Sequence, residues 1–245
     1  MAQSIILCAG EGTRLGGLTK DIPKPMIKFN GKPFLEYIVE DYKRQGINDF
    51  IIPIRHHHEK IISYFGNGDK FGVDITYDYN QVIDENGGSF KRALKYINDD
   101  YFFVHFGDVF FPLNYGKLLE KIKKYHKKAL IVASFRNREL SNYEDKNDLI
   151  VDDKDFLIGY DRGNKSGIAN MLHGGVLLLG KDILKMTFPD IFKLEEFLFP
   201  ILIRDGEIKA FVTKEIPYDI GSIDKMERFK EYVTELSKNG NVGKV

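Results

Sequence analysis

Two glycines and two positively charged side chains lie close together near the start of the sequence. Gly10 and Gly12 follow the apolar run Ser4–Cys8, Arg14 comes next, and Lys24 lies between two prolines. Glycines that leave a parallel strand let backbone N–H groups approach an anion without a side chain in the way. Arg14 adds a permanently charged, planar guanidinium, and the prolines restrict the backbone that aims the Lys24 ammonium. The segment therefore predicts a phosphate-binding site.

Other glycine motifs compete with this interpretation. A dinucleotide-binding fingerprint needs a third glycine, but Leu15 occupies that position. The segment Gly175–Lys181 has the spacing of a P-loop, yet Asp182 stands where serine or threonine is needed. Its apolar interior is typical of a buried strand. A purely structural turn explains the glycines, but not Arg14 and Lys24 at this spacing.

The order of these motifs resembles that of the sugar-1-phosphate nucleotidyltransferases. Gly10–Leu15 followed by Pro23–Met26 looks like the signature of that family. The segments that narrow the resemblance to heptose-1-phosphate and mannose-1-phosphate guanylyltransferases are Asn30–Tyr37, Gln45–Ile47, His58–Ile62 and Tyr64–Gly66. The resemblance is specific over about the first 80 residues. Weaker matches continue in the same order to about residue 232.

The resemblance implies transfer of a nucleotide from an NTP to a sugar 1-phosphate, with release of pyrophosphate. In the family, the aspartates that match Asp108 and Asp219 bind Mg²⁺, and Mg²⁺ needs few carboxylates besides phosphate oxygens and water. A lone Gly-Asp pair would indicate only a turn at a strand end. GT-A glycosyltransferases are the second enzyme class, but they usually carry Asp-x-Asp, whereas Val109 and Phe110 follow Asp108.

The nucleotide side of the expected site follows from the same resemblance. Arg14 is expected to stabilise the leaving pyrophosphate, and Lys24 to hold phosphates near the reacting centre. The residues expected to bind the NTP are Leu7, Ala9, Gly10, Glu11, Gly12, Thr13, Glu85, Asn86, Gly87, Gly88 and Gly107.

One of these residues departs from the family pattern. Glu85 stands where a family glycine is expected, although Gly87 and Gly88 remain. A carboxylate accepts hydrogen bonds from N1–H and the amine of guanine, and equally from the amine of cytosine. A solvent-facing Glu85 is the third interpretation. GTP with a heptose or mannose 1-phosphate is the leading substrate pair, and CTP or UTP with another phosphorylated acceptor is the alternative.

The acceptor side departs further from the family. Asp161 and Arg162 are expected to replace a Glu-Lys pair, and His173, Gly174 and Gly175 to replace Asn-Gly-Gly. His173 is interpreted either as a donor to a sugar hydroxyl or as a packed strand residue. These five residues form the predicted sugar-phosphate site.

The elements that must position these residues alternate between short apolar runs and helical patterns, which predicts βαβ units. Strands are expected at Ser4–Cys8, Asp49–Ile54, Val73–Tyr77, Tyr101–Phe106 and Ala129–Phe135. Helices are expected at Pro33–Gln45, His58–Phe65, Phe90–Ile97, Tyr115–Tyr125, Leu194–Ile203 and Ile223–Leu236. Antiparallel strands are expected after residue 130, among them Met171–Leu179 and Ile208–Thr213, with a polar loop at residues 137–147. We expect an α/β fold, Rossmann-like and similar to the GT-A arrangement, with a mixed, mainly parallel central sheet. One domain spans residues 1–245, with an NTP-binding half to about residue 130 and a sugar-phosphate half from about 131.

Composition limits the other function classes. Thirty-six basic residues balance thirty-six acidic ones, which argues against a nucleic-acid-binding protein. Cys8 is the only cysteine, and no run approaches the roughly 20 apolar residues that span a bilayer. A cytoplasmic enzyme without a membrane partner is expected, and a homodimer is implied by the family alone. A catalytically silent relative that binds nucleotide sugar and regulates a partner remains the alternative of another class.

Overall fold

A central sheet of seven strands organises the part of the chain that the computed structural model describes, residues 2–10, 13–82, 84–135 and 147–238. The strands of this sheet are β1 (Gln3–Leu7), β4 (Asp49–Ile54), β5 (Asp74–Tyr79), β6 (Tyr101–Phe106), β8 (Ala129–Ser134), β11 (Leu172–Gly180) and β12 (Ile208–Thr213). Three two-stranded ribbons accompany it, formed by β2 (Lys28–Phe29) with β3 (Lys32–Pro33), β7 (Val109–Phe110) with β13 (Tyr218–Asp219), and β9 (Leu149–Val151) with β10 (Leu157–Tyr160).

The strand order is β12-β8-β11-β6-β1-β4-β5. Strand β11 runs antiparallel to both of its neighbours, and the other described pairs of this sheet are parallel. The sheet is therefore mixed and mainly parallel, as the sequence predicts.

Helices cover both faces of the sheet. They are α1 (Phe34–Arg44), α2 (His58–Phe65), α3 (Glu85–Ala93), α4 (Tyr115–Tyr125), α5 (Leu194–Arg204) and α6 (Ile223–Lys238). Side chains of α1, α2, α4 and α6 share one apolar cluster, and those of α3 and α5 share the other. Ile6 and Phe103 face the first cluster, whereas Ile5 and Val104 face the second. Because both faces are buried, the central strands read as continuous apolar runs.

Two expectations about these elements are wrong. Ile208–Thr213 pairs parallel with β8, not antiparallel, because the direction of an edge strand depends on where α5 delivers the chain. The helix expected at Phe90–Ile97 begins earlier, at Glu85, and ends at Ala93, followed by a 3₁₀ turn at Leu94–Tyr96. Two glycines hid this start, since glycine is a poor helix former. Residues 137–146 of the expected polar loop lie outside the described residues.

None of the helices in the described part of the chain combines the length and the apolar character needed to cross a membrane.

Candidate active site

A cavity of about 570 Å³ opens at the carboxyl edge of the parallel strands. Strands β1, β4 and β6 end side by side, and Gly10, Arg55 and Asp108 follow them into the cavity wall. The described residues that line it are Leu7, Cys8, Ala9, Gly10, Lys24, Pro25, Arg55, Asp84, Glu85, Asn86, Ser89, Phe106, Gly107, Asp108, Arg162, Lys193 and Glu195. Ligands of open α/β sheets bind at this edge, so the cavity is the candidate active site.

Lys24 and Asp108 form an ion pair in the cavity wall. Lys24 lies in a 3₁₀ turn that Pro23 opens, where the Met26 N–H donates to the Pro23 carbonyl. Its Nζ lies 2.7 Å from Oδ2 of Asp108, and its side chain is 8% exposed, against 37% for Asp108. A nearly buried ammonium needs a charged partner. The pair therefore holds one cation and one carboxylate at the reacting edge, 84 residues apart in sequence.

Asp219 joins this pair through the ribbon of β7 and β13. Asp219 pairs with Val109, and the Ile220 N–H donates to the Asp108 carbonyl at 3.0 Å. Lys225 Nζ lies 2.6 Å from Oδ2 of Asp219. The Asp219 Oδ1 accepts from the Gly221 N–H, and a Cβ added to Gly221 would lie 3.8 Å from Lys24 Nζ. Asp219 on β13 and Asp108 in the turn before β7, each with an oxygen held by lysine, provide a hard donor set that suits a divalent cation. No cluster of three or more metal-ligating side chains occurs in the described ranges.

Tight backbone packing supports the loop after β1. The Gly107 N–H donates to the Leu7 carbonyl, and Arg55 Nε donates to the Ala9 carbonyl at 3.2 Å. A Cβ on Gly107 would lie 2.6 Å from Cys8 Sγ, so the two strand ends approach closely only because Gly107 lacks a side chain. Burial raises the pKa of the Cys8 thiol well above its usual value, which makes it inert.

Part of the predicted phosphate loop cannot be placed. Glu11 and Gly12 lie outside the described residues, as do the side chains of Thr13 and Arg14. The backbone of Thr13–Thr19 forms a 3₁₀ segment. The role of Arg14 stays a prediction.

Glu85 begins helix α3 and lines the cavity, with an exposed side chain and a φ of 57°. This left-handed conformation favours glycine, which is the residue that the family pattern has at this position. The neighbouring Asp84 is anchored by Arg92 and accepts from Ser89 Oγ at 3.2 Å. Arg92 Nε also donates to Asp78 at 2.7 Å. These ionic contacts hold the turn that presents Glu85.

The other predicted nucleotide residues of α3 pack against the start of α5. Asn86 Oδ1 accepts from the Leu194 N–H at 2.9 Å. A Cβ on Gly87 would lie 2.4 Å from Phe192, and one on Gly88 would lie 2.5 Å from the Asp190 carbonyl. Neither glycine is among the cavity-lining residues. The structure therefore explains both glycines by close packing, and nucleotide binding by them stays a prediction.

The predicted acceptor residues separate into two groups. Arg162 lines the cavity, and its guanidinium lies 3.9 Å from Glu196. Asp161 turns away into a local loop, where its Oδ2 accepts from Ser166 N–H and Oγ. These hydrogen bonds lower the pKa of the Asp161 carboxyl. Of this pair, only Arg162 reaches the cavity.

His173, Gly174 and Gly175 lie on β11 beside the cavity. The His173 N–H donates to Asp148, and its ring packs edge-on against Phe106 of the cavity wall at 5.4 Å. Its Nε2 is buried, with no hydrogen-bond partner among the described residues. A Cβ on Gly174 would strike the Phe111 ring, and one on Gly175 would lie 2.9 Å from Val109. The pairing of β11 with β8 shifts register between His173 and Leu177, so both glycines lie in a bulge.

Four charged residues of the cavity were missed by sequence reasoning: Arg55, Asp84, Lys193 and Glu195. Asp84 directly precedes the predicted Glu85. Arg55 follows a parallel strand as Gly10 does, so its position at a strand end was a usable signal. Lys193 and Glu195 are far from every recognised motif and reach the cavity only through the packing of α5.

Comparisons with known proteins agree with this geometry. The model of the nucleotidyl transferase family matches residues 3–143. The D-glycero-alpha-D-manno-heptose 1-phosphate guanylyltransferase of Campylobacter jejuni is 36% identical over 200 residues, 80% of this chain and 84% of that protein. The protein of the same name from Aneurinibacillus thermoaerophilus is 30% identical over 229 residues, 91% and 94% of the two chains.

Solved structures extend the likeness to the whole fold. HddC from Yersinia pseudotuberculosis superposes with a TM-score of 0.80 at 28% identity, over 95% of this chain and 100% of that chain. HddC is also known in complex with GMP-PN. This chain therefore belongs to the nucleotidyl transferase family and is a nucleotidyltransferase.

Proposed function

We propose that this enzyme transfers a guanylyl group from GTP to a sugar 1-phosphate, with a heptose or mannose 1-phosphate as the leading acceptor. The observation that carries the proposal is the charge distribution of the single continuous cavity described above. Lys24 and Asp108 lie at the strand edge, whereas Arg162, Lys193 and Glu195 line the part contributed by residues after 160. Two phosphorylated substrates need this arrangement, with cations for both phosphates and a hydrogen-bonding wall for the sugar.

The reaction is an in-line attack by an oxygen of the sugar phosphate on the α-phosphorus of the NTP, which expels pyrophosphate. The attacking oxygen is already ionised near neutral pH, so no general base is needed. Catalysis then depends on positioning two polyanions and neutralising charge. Lys24 is the best-placed cation, because its ion pair with Asp108 fixes the ammonium at the strand edge. Arg14 is proposed to stabilise the leaving pyrophosphate.

Nucleotidyltransferases of this family generally use a divalent metal ion, and we propose Mg²⁺ held by Asp108 and Asp219. When bound, such an ion would supply positive charge that offsets the negative charge of the substrate phosphates. The support from this chain is the β7–β13 ribbon, which pairs Asp219 with Val109, the residue after Asp108. Lys24 and Lys225 neutralise the same carboxylates in this structure.

The choice of GTP is supported by two independent observations. The relatives from Campylobacter jejuni and Aneurinibacillus thermoaerophilus are both named guanylyltransferases of a heptose 1-phosphate. Glu85, exposed at the cavity, offers a carboxylate that can accept hydrogen bonds from N1–H and the amine of guanine. Cytosine offers one amine to the same carboxylate, so CTP is the competing nucleotide.

The test is Mg²⁺-dependent pyrophosphate release, with each of the four common NTPs against a panel of sugar 1-phosphates that includes mannose and heptose 1-phosphates. We expect turnover with GTP. Asp108→Ala should lower kcat by roughly 10²–10³ or more, by analogy with the loss of one charge-stabilising group. Asp153→Ala is the matched control, because Asp153 is an exposed aspartate outside the cavity lining.

The outcomes separate the alternatives. Turnover with CTP or UTP alone retains the reaction and overturns the base assignment. Nucleotide binding without turnover across the panel contradicts the proposed activity and favours the regulatory interpretation. An Asp108→Ala enzyme as active as Asp153→Ala removes Asp108 from the mechanism.

A further inference from the structure

Asn86 of helix α3 contacts the start of α5 with both the oxygen and the nitrogen of its side-chain amide. Its Oδ1 accepts from the Leu194 N–H at 2.9 Å, and its Nδ2 donates to Oε2 of Glu195 at 2.8 Å. The first N–H groups of a helix lack partners within the helix, so this amide caps α5 from 108 residues away. Asn86 therefore fixes the position of the first turn of α5 and the rotamer of Glu195 together.

This contact with α3 holds Glu195 in the cavity wall. It lies close enough to Tyr160 and Asp148 to raise the pKa of both groups, after the larger effect of their burial. Asp148 in turn accepts from the His173 backbone. Of this group only Glu195 lines the cavity, together with Arg162. Asp148, Tyr160 and His173 adjoin it and complete one polar wall.

This wall offers hydrogen-bonding capacity that the described protein groups do not use up. Within it, His173 Nε2 is buried and has no hydrogen-bond partner among the described residues. Buried polar atoms are normally satisfied, and an orphan needs a ligand or water to explain it. Carboxylates accept hydrogen bonds but cannot donate them. The wall therefore suits a ligand with several hydroxyl donors, and it repels a ligand with its own carboxylate there.

We infer that Glu195 binds hydroxyl groups of the acceptor sugar and that Asn86 is the positioning residue that holds it for that contact. This inference rests on the proposed function and deepens it. The acceptor class is a neutral polyhydroxylated sugar phosphate, with hydroxyls on Glu195 and its phosphate toward Arg162 and Lys193.

The test compares Glu195→Gln and Asn86→Ala with the wild-type enzyme, using mannose 1-phosphate as the probe. In Glu195→Gln, the loss of a hydrogen bond between a sugar hydroxyl and a charged carboxylate should raise the KM for mannose 1-phosphate roughly 10- to 100-fold. The KM for GTP should stay within about twofold of the wild-type value. Asn86→Ala should raise the same acceptor KM by a smaller factor. Asp205→Asn is the matched control, because it makes the same change at the exposed far end of α5.

Calorimetric titration with mannose 1-phosphate alone reports binding without turnover, so the inference is tested even if the assay is silent. Deoxy analogues of mannose 1-phosphate identify the contact, since the analogue that lacks the bound hydroxyl should not distinguish wild type from Glu195→Gln. An unchanged acceptor KM and affinity in a folded Glu195→Gln protein overturn the inference, while an inactive Asp108→Ala enzyme still supports the proposed function. A GTP KM that rises as much as the acceptor KM also overturns it.

Discussion

Glu85 combines backbone strain with a proposed role in base recognition, and two substitutions separate the two effects. Glu85→Gly and Glu85→Ala both remove the carboxylate. Only the glycine variant also removes the Cβ from a residue with a φ of 57°. The two variants should therefore differ in stability and agree in nucleotide preference.

The stability difference follows from the backbone. A left-handed conformation costs a residue with a Cβ roughly 1–2 kcal/mol, whereas glycine loses about 0.4–1 kcal/mol more through the entropy of the unfolded chain. The free energy of unfolding of Glu85→Gly should therefore exceed that of Glu85→Ala by about 1 kcal/mol, which corresponds to ~2–4 °C in Tm for a chain of this size. Hydrogen bonds to a charged acceptor contribute about 1.5–3 kcal/mol. Both variants should thus lose about 10- to 100-fold in the preference for GTP over other NTPs.

Thermal unfolding measures the first difference, and kcat/KM for each NTP measures the second. His126→Gly and His126→Ala form the matched control pair, because His126 has a φ of 50° at the end of α4 and does not line the cavity. That pair should show the stability difference without a change in nucleotide preference. Equal Tm values for the two Glu85 variants would refute the strain argument. An unchanged GTP preference would refute base recognition by Glu85.

Two further predictions concern the support of the site. His105 is fully buried, with a ring nitrogen 2.8 Å from the Val109 carbonyl, and burial lowers its pKa from 6.5 to about 4. The contribution of neutral His105 to folding stability is therefore present above pH 6.5 and is lost as the pH falls towards 4. In urea unfolding, the free energy of unfolding of wild type should exceed that of His105→Asn by about 3 kcal/mol less at pH 4 than at pH 7. A difference that does not change with pH contradicts this. Gly107→Ala should destabilise the protein by about 1–3 kcal/mol through overpacking against Cys8. Adding Cys8→Ala should recover only part of this loss, because the Leu7 carbonyl, at 2.9 Å, still obstructs the new Cβ; full recovery in urea titrations would assign the whole clash to the thiol.

Local patterns in the sequence were sufficient for most strands and helices of the first half, with α3 as the exception. The predicted β4, α2, β6 and α4 agree with the structure residue for residue. Apolar runs and amphipathic periodicity are properties of neighbouring residues, so they can be read without knowledge of the fold. The positions of Gly10 and Asp108 in the cavity wall could be read in the same way, since a residue that follows a parallel strand lies at the edge where ligands bind.

Contacts between distant segments decided the rest. The parallel direction of β12 depends on the path of α5 over the sheet, which no alternation of side chains encodes. Asn86, Gly87 and Gly88 were assigned to the nucleotide from sequence, and the structure adds close contacts of all three with residues 190–195, which no local pattern encodes.

Sequence by itself therefore determined the reaction class of this protein and the cation and carboxylates expected at the reacting edge. Those residues lie in short motifs whose backbone places them. Only the tertiary structure brought Lys193 and Glu195 into the cavity, because Glu195 meets Asn86 across 109 residues. That contact depends on the shapes of two packed helices, and no local spacing specifies how two helices pack.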